Sequence, residues 1–245
     1  MGKAAPSGRV RDEWLRRVEA EYRSTAVSAQ MALWLVQIGA SPDLVKAALR
    51  IAREELGHAT ASHRVLLAAG GEGGPALDRE TLDLPRTPGG TLEDDVARVC
   101  VDVFCLGETV AVRLFAEMRR RCDVPVARRA LDRILRDEVG HRDFGWTLLR
   151  WLLESPGHGS RVRALVAAEL PGSLERIRAL YAPAQVEDLG STSREDARWG
   201  LLAVARYGEV LTATFARDYL PRFARLGIDV RPGWAACLAR ARVSE

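Results

Sequence analysis

The chain has 245 residues, with 36 basic and 33 acidic side chains and a formal net charge of +3. Apolar residues make up 47% and charged residues 28%, which is typical of a soluble globular protein, and no apolar run approaches the length of a membrane-spanning helix. A small charge that alternates along helices argues against a nucleic-acid surface. The four cysteines form no Cys-x-x-Cys pair, which argues against a zinc ribbon and favours free thiols in a reducing cytoplasm.

Two long helices are predicted in the first seventy residues. Residues 10–38 contain no Pro or Gly, and their apolar residues recur at three- and four-residue steps, which predicts an amphipathic helix that ends at Gly39. Ser41 and Pro42 suit the cap and first turn of a second helix, which we expect to reach about Ala69. The short link makes the two helices an antiparallel hairpin.

A second hairpin follows a long connection. Residues 70–90 hold six Gly and three Pro, so we expect a loop there. Thr91 should cap a third helix that runs to Arg121, and Pro125 should begin a fourth that ends near residue 156. Two hairpins joined by a long crossover are one of the topologies of a four-helix bundle.

The last third of the chain also has helical patterning. We expect short helices on either side of Pro171, because proline interrupts a helix. A capping-box pattern begins at Ser193 and predicts a long helix to about Arg225, followed by a short helix over residues 234–242.

The expected organisation is therefore all-α. A four-helix bundle made of two antiparallel hairpins should occupy residues 9–157, after a frayed N-terminus at residues 1–8. A helical extension over residues 158–245 should pack on the bundle.

The most informative pattern is a glutamate followed three residues later by a histidine. It occurs at Glu55 and His58 in the second predicted helix, and again at Glu138 and His141 in the fourth. Positions i and i+3 lie on one face of a helix, so each pair can aim a carboxylate and an imidazole at one point. Chance predicts only about 0.3 such pairs in a chain of this composition, so two of them indicate function.

Each pair follows a helix with a candidate inward glutamate. Glu21 precedes Glu55 by 34 residues and Glu108 precedes Glu138 by 30, and such spacings suit a helix up, a turn and a helix down to the same level. Glu19 stays open as an alternative to Glu21. We prefer Glu21 because apolar and small polar residues share its side of the helix.

Carboxylate oxygens and imidazole nitrogens are donors that iron and manganese accept. Four glutamates would offset the charge of two divalent ions, and the same donors suit Fe/Fe and Mn/Fe pairs. Glu54 and Asp137 precede two of the candidate ligands, and each is expected to accept a hydrogen bond from the histidine of the opposite hairpin, with an exposed helix charge as the alternative. The predicted metal ligands, which would also carry catalysis, are Glu21, Glu55, His58, Glu108, Glu138 and His141.

The segments around these residues resemble those of the ferritin-like di-iron carboxylate superfamily, and within it a little-characterised group of bacterial ferritin-like domain proteins. The similar segments are residues 21–26, 53–59, 105–109 and 137–141, and the resemblance covers about residues 14–151. It implies a ferritin-like bundle, with ligand roles for the glutamate of each segment and for the two histidines.

The resemblance further implies an O2-dependent di-iron oxidase or oxygenase. It would bind two iron ions, use O2 as co-substrate and an external reductant or electron donor, and oxidise a small organic substrate by hydroxylation, desaturation, N-oxidation or C–C cleavage. The helical extension favours this reading because a bare four-helix site does not need it. Weak candidates for the substrate pocket are Ser24, Thr25, Ser28, Ala111, Val112 and Phe144.

Two other functions stay open at this point. Iron handling as a ferroxidase, a peroxidase or a storage protein is the first, although the chain lacks the Cys-x-x-Cys pairs of rubrerythrins and exceeds the usual length of a cage-forming ferritin. A non-catalytic bundle that binds a partner is the second. The sequence is compatible with a cytoplasmic homodimer, and neither a membrane nor a nucleic acid is an expected partner.

Overall fold

The computed structural model describes residues 6–181 and 192–243, with side chains as far as residue 240. All regular structure in these ranges is helical, which confirms the all-α prediction for them, and none of the helices there is long and apolar enough to cross a membrane. The α-helices are α1 (Gly8–Gln37), α2 (Pro42–Ala68), α3 (Leu92–Val99), α4 (Glu108–Arg121), α5 (Pro125–Glu154), α6 (Gly159–Tyr181), α7 (Arg194–Arg198), α8 (Val204–Thr214), α9 (Leu220–Arg225) and α10 (Arg231–Val243).

Two π-helical segments interrupt this pattern. The first, π1 (Cys100–Gly107), joins α3 to α4, and the second, π2 (Phe215–Tyr219), joins α8 to α9. A short 3-10 helix, Arg79–Thr81, lies in the long connection after α2. The third predicted helix is therefore present over its whole length, but its middle turns carry the wider π geometry that the sequence did not predict.

The chain divides into two compact units. Unit 1 is Met1–Pro85, Phe115–Asp137 and Ser191–Leu202, and unit 2 is Arg86–Leu114, Glu138–Gly190 and Ala203–Glu245. The boundary between the units runs through α4 and α5. One part of each helix therefore belongs to unit 1, and the other part belongs to unit 2. The bundle and extension expected at residues 9–157 and 158–245 stay a prediction, and residues 1–5 of the predicted frayed terminus lie outside the described ranges.

In unit 1, α1 and α2 form the predicted hairpin. The Ser7 hydroxyl accepts a hydrogen bond from the Val10 N–H and caps α1. Gly39, at a φ of +67°, ends the helix, because its left-handed conformation lets the Ala40 N–H reach the Leu35 carbonyl. Pro42 then begins α2.

The predicted continuous helix from Ser193 to about Arg225 is interrupted near its start, although the chain is helical from Val204 to the predicted end at Arg225. The Ser193 hydroxyl does cap α7, but that helix ends after Arg198. Gly200 has a φ of +87°, and the Leu201 N–H bonds back to the Asp196 carbonyl, so the backbone turns away. The turn is held in unit 1, where the Trp14 indole donates to the Trp199 carbonyl at 3.1 Å.

In unit 2, α6 corrects a second prediction, because it runs without a break through Pro171. Proline removes one helical hydrogen bond, but packing can offset that loss. Here α10 lies against α6: Gly233 approaches Pro171 so closely that a Cβ on Gly233 would stand 3.2 Å from the proline Cα. The Cys237 thiol also donates to the Leu174 carbonyl at 3.7 Å. As predicted, all four cysteines are free, and all are buried.

Candidate metal centre

Unit 1 contains a buried cluster of two glutamates and one histidine. Helix α1 supplies Glu21, and α2 supplies Glu55 and His58 from adjacent turns of one face. The His58 Nδ1 lies 3.2 Å from a Glu55 oxygen and 3.8 Å from a Glu21 oxygen. The three side chains are 5%, 1% and 0% exposed, and one ligand atom from each lies within 4.8 Å of the others. Three such donors could hold a metal ion.

Asp137 contacts the other side of the His58 ring. Its Oδ2 lies 3.0 Å from the His58 Nε2, within unit 1. With the proton on Nε2, the ring donates to Asp137 and leaves the Nδ1 lone pair directed at the two glutamates. A carboxylate in this position fixes the tautomer of a metal-binding histidine and raises its basicity. The contact has the geometry expected if Asp137 accepts a hydrogen bond from the histidine.

In this metal-free cluster, burial and neighbouring charges shift the pKa values of Glu21 and His58. Burial raises the pKa of Glu21 to about 8, against the opposing effect of its hydrogen bond with His58. Burial by itself would lower the pKa of His58, but the Glu21 and Glu55 carboxylates outweigh it and raise the pKa to about 11. In the metal-free protein, protons therefore supply the positive charge that a bound cation would otherwise provide.

Unit 2 contains a second cluster of the same composition. Glu108 begins α4, and α5 supplies Glu138 and His141. The His141 Nδ1 lies 3.5 Å from a Glu138 oxygen, and one ligand atom from each of the three residues lies within 4.8 Å of the others. The side chains are 8%, 3% and 0% exposed. In both clusters the histidine turns Nδ1 towards the glutamate three residues before it. This cluster too could hold a metal ion.

Glu21 and Glu19, the two alternatives for the first ligand, have different surroundings. Glu19 lies on another face of α1 and accepts a hydrogen bond at 3.2 Å from the exposed backbone N–H of Ala76, whereas Glu21 is buried in the cluster. Glu54 forms a helix ion pair with Arg50 at 3.7 Å, and its predicted role towards a histidine stays a prediction. His63, the other histidine of α2, contacts the Gly73 carbonyl at 3.1 Å.

The predicted pocket residues lie in both units. In unit 1, Ser28 is buried, Ser24 is half-buried, and the Thr25 hydroxyl donates to the Glu21 carbonyl at 2.8 Å. In unit 2, Ala111 and Val112 are half-buried, and Phe144 packs edge-on against Phe104 at 5.0 Å between ring centroids. Phe144 and Ser28 are thus packed in the interior, and a substrate-contacting role for the six residues stays a prediction.

Sequence reasoning missed the π geometry beside Glu108. The Glu108 N–H donates to the Val103 carbonyl five residues earlier, not to the carbonyl four residues earlier. No local signal marks this segment, because its apolar residues fit an α-helix equally well.

No known protein family has a model that matches this chain. A comparison with curated proteins likewise finds no significantly similar sequence. Evidence for function therefore comes from the two clusters and from the residues that surround them.

Proposed function

We propose that this chain is a ferritin-like di-iron oxidoreductase, which uses O2 to oxidise a small organic substrate. The observation that carries the proposal is the recurrence of one donor set. Each unit holds two buried glutamates and one buried histidine, and in each the histidine follows a glutamate by three residues. Two carboxylates balance the charge of one divalent ion, and oxygen and imidazole donors suit iron and manganese.

Burial supports a metal rather than a purely structural role. Buried carboxylates are costly unless they are paired or bind a cation. In unit 1 the pKa of Glu21 rises to about 8, so this carboxyl is largely protonated near neutral pH when no metal is bound. A divalent ion in the cluster would replace that proton and favour the ionised carboxylate.

We assign one divalent metal ion to each cluster, and therefore two ions to each chain. Asp137 and Glu138 are consecutive residues of α5. The first contacts His58 of the unit 1 cluster, and the second belongs to the unit 2 cluster. The two Glu-x-x-His motifs, each preceded by a further glutamate, have the pattern of di-iron bundle proteins.

Bound iron would supply the electrons that reduce O2, which no amino-acid side chain of the cluster can do, and an external reductant would return the iron to its ferrous state. The chain's own residues have the remaining tasks. Glutamates hold the ions and balance their charge, and Asp137 orients the His58 ring. In unit 2, Phe144 lies one helical turn after His141 and packs edge-on against Phe104, and this buried pair would help to keep water out of the cluster.

Anaerobic titration of the metal-free protein with Fe(II) tests the proposal, followed by measurement of O2 uptake. We expect saturation at about two irons per chain and O2 consumption that requires the bound iron. Uptake far beyond two irons with mineral formation would instead establish storage. Failure to bind iron or manganese would leave a non-catalytic helical protein. Competition between Fe(II) and Mn(II), followed by metal analysis, decides between the two metal pairs.

A further inference from the structure

The π1 segment determines how Glu108 is presented to its cluster. A π-helical turn holds one residue more than an α-helical turn, so the residues after it are displaced around the helix axis by about 100°. Glu108 stands at the end of π1, and its own N–H makes the π-type bond to the Val103 carbonyl. If this segment relaxed to α geometry, the Glu108 side chain would turn away from Glu138 and His141.

A residue far along the sequence donates a hydrogen bond to π1. The Tyr219 hydroxyl donates to the Leu106 carbonyl at 2.6 Å, two residues before Glu108, although 113 residues separate the two in sequence. Tyr219 is 0% exposed, and a buried phenol needs a hydrogen-bond partner. This short, buried hydrogen bond therefore connects a backbone carbonyl of π1 to a side chain in the interior of unit 2.

Neighbouring contacts also join residues 215–225 to the helix that carries Glu108. Asp218, which precedes Tyr219, forms an ion pair with Arg113 of α4, five residues after Glu108. Phe223 packs edge-on against Trp146 at 4.9 Å between ring centroids. The Trp146 indole in turn donates at 3.0 Å to the hydroxyl of Thr109, the residue after Glu108. Residues 215–225 thus contact the Glu108 helix on both sides of the ligand, directly and through α5.

We propose that Tyr219 is a positioning residue for Glu108: its hydrogen bond to the Leu106 carbonyl holds π1 and thereby sets the direction of this metal ligand. The inference rests on the proposed metal centre and deepens it. It gives the C-terminal helices a defined task at that centre, in addition to any part they have in a substrate pocket. In this role Tyr219 is not itself a metal ligand and acts through the backbone carbonyl of Leu106.

The test compares Tyr219→Phe with a matched control, Thr214→Val. Both variants remove one buried hydroxyl from the same helical stretch, but the Thr214 hydroxyl donates at 2.7 Å to the Val210 carbonyl inside α8. The metal-free proteins are titrated with Co(II), whose visible spectrum reports the number and geometry of its ligands. Circular dichroism checks that helix content is equal.

For Tyr219→Phe we expect one of the two Co(II) ions to bind about 10–100-fold more weakly, with an altered visible spectrum, while Thr214→Val matches the wild type. Asp218→Asn, which breaks the ion pair to Arg113, should shift the same ion in the same direction. Wild-type affinity and spectrum in Tyr219→Phe would overturn the inference, as would an equal change in both hydroxyl variants. If the wild-type protein binds no Co(II) or Fe(II), the proposed function itself fails, and the inference fails with it.

Discussion

The imidazole Nε2 of His58 lies 3.0 Å from the Oδ2 of Asp137, and this contact joins the middle of α2 to α5. Asp137 is the residue immediately before Glu138, so one helix presents a partner for the first cluster and a candidate ligand of the second at consecutive positions. A histidine held on Nε2 has only Nδ1 available for a metal. A substitution at Asp137 is therefore the most direct test of how the His58 ring is oriented.

Replacing Asp137 by Asn should weaken metal binding about 10–100-fold, because the amide no longer carries the charge that raises the basicity of His58. Isothermal titration with Fe(II) under anaerobic conditions measures the change. Asp132→Asn is the control, since Asp132 lies on the same helix but pairs with Arg119 at 2.6 Å. Equal affinities in the two variants would mean that Asp137 has no influence on the metal.

The two histidines of the clusters should be individually required. His58→Ala or His141→Ala should prevent the binding of two irons per chain and abolish O2 uptake, because each removes the only nitrogen donor of its cluster, while most of the helix content remains. His63→Ala is the matched control on α2, since its ring contacts the Gly73 carbonyl instead. Full iron content in either cluster variant would refute the site.

Glu21 and Glu19 make a second matched pair. Glu21→Gln should reduce the number of bound irons or their affinity, because the amide lowers the negative charge of the unit 1 cluster. Glu19→Gln should leave metal binding unchanged, because the Glu19 carboxylate accepts a hydrogen bond from the loop N–H of Ala76 and lies outside both clusters. The reverse result would make Glu19 the ligand.

The stability of the metal-free protein should fall as the pH rises. Burial raises the pKa of Glu21 from 4.5 to about 8, so the folded state keeps a proton that the unfolded state releases above its own pKa, and this costs stability between about pH 4.5 and 8. The pKa of His58 is raised from 6.5 to about 11, so its stabilising contribution is complete below pH 6.5 and is lost towards pH 11. Both effects have the same sign.

Urea unfolding of the metal-free protein at pH 5.5 and 8.5 measures this dependence, and the midpoint should be higher at the lower pH. Glu21→Gln should flatten the curve, because the amide does not titrate. A wild-type midpoint that rises with pH over this interval would contradict the raised pKa values.

Two helical glycines should respond oppositely to alanine. A Cβ at Gly145 of α5 would stand 2.6 Å from the backbone of Phe104 in π1, which cannot yield, so Gly145→Ala should destabilise the protein by about 1–3 kcal/mol. At Gly57 of α2 the Cβ would meet only the flexible end of Arg133, so Gly57→Ala should be neutral or stabilising by up to about 1 kcal/mol. Chemical denaturation measures both, and a neutral Gly145→Ala would disprove the close approach.

Local rules were sufficient for the parts of the chain where a few neighbouring residues decide the structure. Gly39 and Pro42 mark the turn of the first hairpin at the predicted residues. The i, i+3 spacing of Glu55 and His58 places both side chains in one buried cluster, as helical geometry requires. The Asp137 contact also follows from such reasoning, because it is the residue next to a ligand.

Contacts between distant residues decided the rest. Helix α6 continues through Pro171 because α10 packs against it at Gly233, and the helix begun at Ser193 ends after Arg198, before the turn at Gly200 within unit 1. The π1 geometry beside Glu108 is held by a bond from Tyr219, 113 residues further along. The sequence by itself determined which residues could bind metal. The tertiary structure decided how one of them is aimed, because the local sequence does not favour the wider π turn and long-range packing, including the Tyr219 hydrogen bond, stabilises it.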